Sequence, residues 1–130
     1  MRKNFKPLSV LFYLALLTTF WGCSDKEDET SKLIGLWEHI QFEDTCGSLC
    51  ADCDGATMQF FDNNQFTYIN GDNDEVSGSY QLNNGIIIFS FDNILEEYTI
   101  SFDQNTFTIV STYQTVNETC TIFQTFMKVN

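Results

Sequence analysis

VSGSYQLNNGIIIFSFDNILEEYTISF, residues 76 to 102, holds three runs rich in β-branched and aromatic residues, separated by two polar pairs. The pairs are Asn84-Gly85 and Asp92-Asn93, residue types that tolerate positive φ and suit the turns of tight hairpins. In the third run Ile94, Glu96, Tyr98, Ile100 and Phe102 stand at alternate positions, so they share one face of a half-buried strand. The middle run, GIIIFSF, is apolar at both sets of alternate positions, a pattern that predicts cover on both faces. Strands joined by turns this short are sequential antiparallel neighbours.

The same punctuation runs through the rest of the chain. IGLWEHIQFE (34–43), ATMQFF (56–61), QFTYIN (65–70), TFTIVSTY (106–113) and TCTIFQTFMKV (119–129) read as further strands, which makes eight. Phe66 and Tyr68 share a face of the third. The connections after the second strand are two to five residues long, whereas a Greek-key sandwich needs at least one long return. A meander leaves two exposed edges unless its first and last strands pair. The expected fold is therefore all-β: an eight-stranded antiparallel up-and-down meander closed into a small barrel over residues 33–130. With an even strand count the start of the first strand lies beside the end of the last, which sets Trp37 next to Lys128.

Upstream, Arg2, Lys3 and Lys6 precede the apolar stretch LSVLFYLALLTTFW, residues 8 to 21. Fourteen residues are too few for a membrane-spanning helix, which needs about 20, and the pattern reads as a secretory signal over residues 1–22. Its end, Phe20-Trp21-Gly22-Cys23, resembles the lipobox of bacterial lipoproteins. Gly22 and Cys23 match that motif, while Phe20 and Trp21 depart from it. The resemblance implies a diacylated Cys23 and a membrane partner reached through lipid. Residues 23–32 then form a mostly acidic tether with no aliphatic residue before Leu33, a composition that cannot bury a core. Such tracts also resemble the signal that sends some Gram-negative lipoproteins to the outer face of the outer membrane. The expected location is the cell envelope, as a surface-exposed outer-membrane lipoprotein; a merely solvated spacer explains the charge equally well.

Beyond the signal only Lys26, Lys32 and Lys128 oppose all 18 acidic residues, a net −15. Phosphate backbones would repel such a chain, so nucleic acid is excluded as a partner. Ten phenylalanines, four tyrosines and Trp37 remain there to build a core.

Gly35-Leu36-Trp37 at the start of the first strand resembles the G-x-W signature of lipocalins, whose tryptophan closes the barrel floor beneath a basic side chain from the last strand. Lys128 stands at the position of that basic residue, where the family usually has arginine. FFDNNQFTY, SGSYQLNNGIIIF and YTISFDQNTFTIV look like segments of small lipocalin-like lipoproteins of Gram-negative bacteria. The resemblance covers residues 33 to 130 and lacks a C-terminal helix. It implies a lipocalin-like calycin barrel and a binding module for a small apolar ligand. Tyr68, Tyr80, Tyr98 and Phe102 are the inward positions named as its lining; plain core is the competing reading for all four. A second function, as an inhibitor of a cationic hydrolase acting through loops at the mouth of a filled barrel, suits the acidic charge.

Enzyme activity has no support, and no cofactor is expected. His39 is the only histidine, and no nucleophile is spaced to accompany it. It lies on Trp37's face of the first strand, where a structural role is expected. Asp72-Asn73-Asp74-Glu75 offers calcium ligands but lacks the glycine and terminal glutamate of an EF-hand loop.

CGSLCADC, residues 46 to 53, carries the spacing C-x3-C-x2-C. Three chemistries use such a cluster. A four-iron site needs a larger domain and a reducing compartment; a zinc site could take Cys120 as fourth ligand; an exported chain oxidises its thiols. If Cys23 is acylated, Cys46, Cys50, Cys53 and Cys120 remain, and four cysteines permit three pairings. In the eight-stranded meander the first strand ends and the eighth begins at one rim. One disulfide from the 46–53 loop to Cys120, and a second within the loop, is expected.

Overall fold

The computed structural model describes residues 28–130. The expected signal sequence, Cys23 and the first part of the expected tether lie outside the described residues. A short helix, α1 (Glu29–Leu33), leads into eight strands: β1 (Gly35–Asp44), β2 (Thr57–Phe60), β3 (Gln65–Ile69), β4 (Glu75–Asn83), β5 (Ile86–Phe91), β6 (Ile94–Asp103), β7 (Thr106–Gln114) and β8 (Thr119–Lys128). They form a closed antiparallel barrel in sequence order, with β1 hydrogen-bonded to β8. The all-β meander read from the sequence is the fold observed.

The turns behave as their residues dictate. Asn84 and Gly85 have φ of 50° and 76°, and Asp92 and Asn93 have φ of 47° and 62°, so both central positions of each two-residue turn are left-handed. That geometry matches the twist of the flanking strands. Odd strands run from one end of the barrel, the floor, to the other, the mouth; even strands run back.

The floor is closed as the register required. Trp37 pairs with Lys128, whose Nζ lies 5.3 Å from the indole centroid, within cation–π range. Gly35, at φ 131°, makes room for that lysine: a Cβ there would stand 3.1 Å from Lys128 Cε. Trp37 is 2 % exposed, meets Phe107 edge-on at 4.8 Å, and its Nε1 donates to the Leu33 carbonyl at 2.7 Å.

That last bond explains a departure from the sequence reading. Residues 29–32 are not an unstructured tether but most of α1, so the folded unit reaches back past residue 33. Asp28 caps the helix by accepting from the Thr30 amide at 3.1 Å. Glu29 in the first turn and Lys32 in the last complement the helix dipole. Leu33, fully buried, is the one aliphatic side chain needed to dock so short a helix, which is why the stretch before it carries no apolar pattern.

A second departure concerns β5. Ile87 and Phe89 point into the core, but Ile86 is 40 % exposed on the outer face. Among the described residues no second layer covers that face. Ile86 and Ile88 instead stand opposite Thr99 and Glu97 of β6, positions where β-branched residues suit the pleated backbone. On β1 a bulge between His39 and Gln41 shifts the register against β8, so Trp37 and His39 face inward before it and Phe42 and Asp44 are the more buried positions after it.

Candidate functional site

At the mouth, the 12-residue connection 45–56 starts beside β8. The Thr45 amide donates to the Thr121 carbonyl at 3.0 Å, and the Thr121 amide to Thr45 Oγ1 at 2.8 Å. Cys46 is bonded to Cys120, across 74 residues of sequence, and Cys50 to Cys53. The bridges are one from loop to β8 and one within the loop. Two clusters of metal-type ligands, Asp44 with Cys46 and Cys120 and Asp52 with Cys50 and Cys53, consist of these same bonded sulfurs. With the four thiols paired to one another, no thiolate is left for the tetrahedral site.

Asp44 organises the start of the loop. Its carboxylate accepts from the Ser48 hydroxyl, from the Cys46 amide at 2.8 Å and from the Tyr113 hydroxyl at 2.8 Å. These bonds, that from Ser48 foremost, hold its carboxyl below the usual range. The far side of the loop is tied to the β3–β4 turn: the Gly71 amide donates to the Asp52 carbonyl at 2.7 Å, and Asn70 Nδ2 to Asp52 Oδ2 at 3.2 Å. The contact demands glycine, since a Cβ at Gly71 would lie 2.3 Å from the Asp54 carbonyl oxygen. Asn70 also explains the acidic turn that follows, because its Oδ1 accepts from the amides of Asp72 and Asp74 at 3.0 and 2.8 Å. The loop is thus braced at both ends across the short β2.

Below this rim lies a cavity of about 250 Å³. Phe66, Phe89, Ile109 and Phe126 line its depth; Met58, Tyr68, Val76, Phe91 and Tyr98 line its upper wall. The rings meet mostly edge to face, as Phe66 does with Phe89 at 4.8 Å and Phe89 with Tyr98 at 5.8 Å. Besides the two tyrosines, Gln124 and Glu96 bring polar groups to this apolar space. The Tyr98 hydroxyl donates to Glu96 Oε2 at 2.6 Å. Burial, then that bond to Glu96, lifts the Tyr98 phenol far above its ordinary value, and burial with the nearby Asp52 lifts Tyr68. Both phenols stay protonated, as donors, at neutral pH.

Of the four lining residues named from the sequence, Tyr68 and Tyr98 are on the cavity. Tyr80 and Phe102 are not, and this corrects the reading. Tyr80 is buried against Phe60 at 4.9 Å with its hydroxyl donating to the Phe61 carbonyl at 3.3 Å, and Phe102 packs on Phe107 at 6.5 Å. All four lie on inward-facing strand positions. Tyr80 and Phe102 come late on β4 and β6, strands that run from mouth to floor, so they belong to the filled lower half. Glu96 was missed as a site residue, although the alternation of β6 had already placed it on Tyr98's face.

His39 is 9 % exposed, meets Phe126 edge-on at 5.1 Å, and its Nε2 is buried without a hydrogen-bond partner among the described residues. Burial lowers its pKa, with Asp54 pulling the other way. It is absent from the cavity lining.

No protein-family model matches the chain, and no curated protein matches it.

Proposed function

We propose that this chain is a non-enzymatic binding protein of the bacterial cell envelope, a lipocalin-like lipoprotein held by a lipid on Cys23 and exposed at the outer membrane, that takes a small, largely apolar ligand into the mouth of its barrel. The observation that carries the reading is the aromatic-lined cavity of about 250 Å³ in the upper half of the barrel, above a filled floor. Its size is modest. A dry cavity of about 150 Å³ holds a benzene-sized molecule, and drug-sized ligands occupy about 300 Å³ or more, so the space suits one ring with a short chain. Trp37 beneath Lys128 supports the lipocalin resemblance at its best-matched residues. The competing reading, hydrolase inhibition by loops on a filled barrel, loses support from the cavity.

The test is native mass spectrometry of the purified chain mixed with an envelope extract. A stoichiometric adduct on the wild type, absent from Val76→Phe, which places a ring in the cavity, is the expected result. No adduct on either protein overturns the ligand reading. Anchoring is tested separately: Cys23→Ala is expected to leave the membrane fraction or to remain as uncleaved precursor, and a correctly processed variant that stays membrane-bound refutes the lipid on Cys23.

A further inference from the structure

We propose that the cavity selects a ligand bearing an ammonium group, a small primary amine on a ring or short apolar body, and that Glu96 is the residue that selects it. The inference rests on the ligand-binding reading above and deepens it.

Glu96 is the only charged side chain among the residues lining the cavity. It is half-buried on the inner face of β6, while its neighbour Glu97 is exposed on the outer face. A carboxylate turned into an aromatic space loses hydration, and that loss is made good only by a cation or by hydrogen-bond donors. The structure supplies one donor, the Tyr98 hydroxyl on Oε2, and no lysine, arginine or histidine among the lining residues. That hydrogen bond holds the carboxylate in place and leaves Oε1 without a hydrogen bond among the described residues. Phe89 stands opposite Glu96 on the neighbouring strand, and Tyr68, Phe91 and Tyr98 line the same cavity; aromatic rings attract a cation through their π faces.

The same arrangement discriminates against the alternatives. A neutral apolar molecule would take water from Glu96 and leave it the Tyr98 hydroxyl alone. An anion would meet Glu96 directly, and the chain beyond the signal carries a net −15 besides. An ammonium head supplies three donors to the carboxylate and gains from the ring faces, while its apolar body fills the deeper part of the cavity.

The experiment uses three probes of matched shape, 2-phenylethylamine, 2-phenylethanol and 3-phenylpropionate, titrated calorimetrically into the purified full chain near pH 7. The amine is expected to bind about tenfold or more tightly than the alcohol, the gain of a charged hydrogen bond, and the carboxylate not at all. Glu96→Gln should bring amine and alcohol to near parity. Glu97→Gln removes the same charge from the outer face and should leave the preference intact. If the alcohol binds as well as the amine in the wild type, the ammonium inference is wrong and the apolar-pocket reading stands. Equal loss of preference in both variants would mean that net charge, not Glu96, attracts amines, and also overturns it. If none of the three probes binds, both readings fall. The wild-type comparison decides the matter even if Glu96→Gln does not fold.

Discussion

Trp37 joins several parts of the floor, because one buried indole faces the Lys128 ammonium, packs on Phe107 and ties α1 to the barrel through the Leu33 carbonyl. Trp37→Ala is expected to cost about 3 to 5 kcal/mol, read as a lowered urea midpoint by circular dichroism. His39 gives a second expectation, in pH. Its folded-state pKa is depressed by burial below the ordinary histidine value of 6.5, so the unfolded chain takes up the proton first as pH falls. The stability it contributes is complete above pH 6.5 and is lost as pH falls from there through the lower folded value. Urea midpoints at neutral and mildly acidic pH should show that loss in the wild type and a flatter dependence in His39→Gln. Strand alternation puts His39 on Trp37's face of β1, and the structure turns that face inward. Alternation assigns a face but not a height along the barrel, which is why Tyr80 and Phe102 were grouped with Tyr68 and Tyr98; counting strand direction from the floor separates the two pairs.

Among the elements, the 45–56 connection is the one that takes part in both disulfides. Its cysteines were legible because an even-stranded meander brings the end of β1 and the start of β8 to one rim, and the Cys46–Cys120 bridge follows. Replacing both cysteines by alanine opens a constraint spanning 74 residues and is expected to destabilise the fold by about 4 kcal/mol on the chain-entropy estimate. Replacing Cys50 and Cys53, three residues apart, should cost distinctly less in global denaturation. The brace at the other end was not legible. Gly71 meets the Asp54 carbonyl from a turn distant in sequence, and such an approach leaves no mark on the local pattern of either segment. Gly71→Ala should force the loop off the β3–β4 turn, and limited proteolysis should then cut within residues 45–56 faster than in the wild type. Helix α1 escaped the sequence for a related reason: a single buried leucine makes no periodicity.

For the molecule as a whole, closure was legible and the void was not. Eight short strands with unpaired ends call for a barrel, but the space left inside depends on strand tilt, stagger and the volumes of inward side chains together, and no single stretch of sequence states that balance. Val76→Phe tests it at this scale: filling the cavity should abolish ligand adducts while shifting the thermal midpoint little, because the added ring enters empty space. The closed floor has a directional consequence. Both ends of the described chain, α1 and the last residues of β8, sit there, opposite the mouth. Were Cys23 embedded in a bilayer, the chain from it to Asp28 could reach at most roughly 17 Å, which would keep the floor end of the barrel nearer the lipid than the mouth. The floor would then face the lipid and the opening would look into the medium, so the molecule would sample water-borne solutes drifting past the cell rather than amphiphiles leaving the leaflet beneath it.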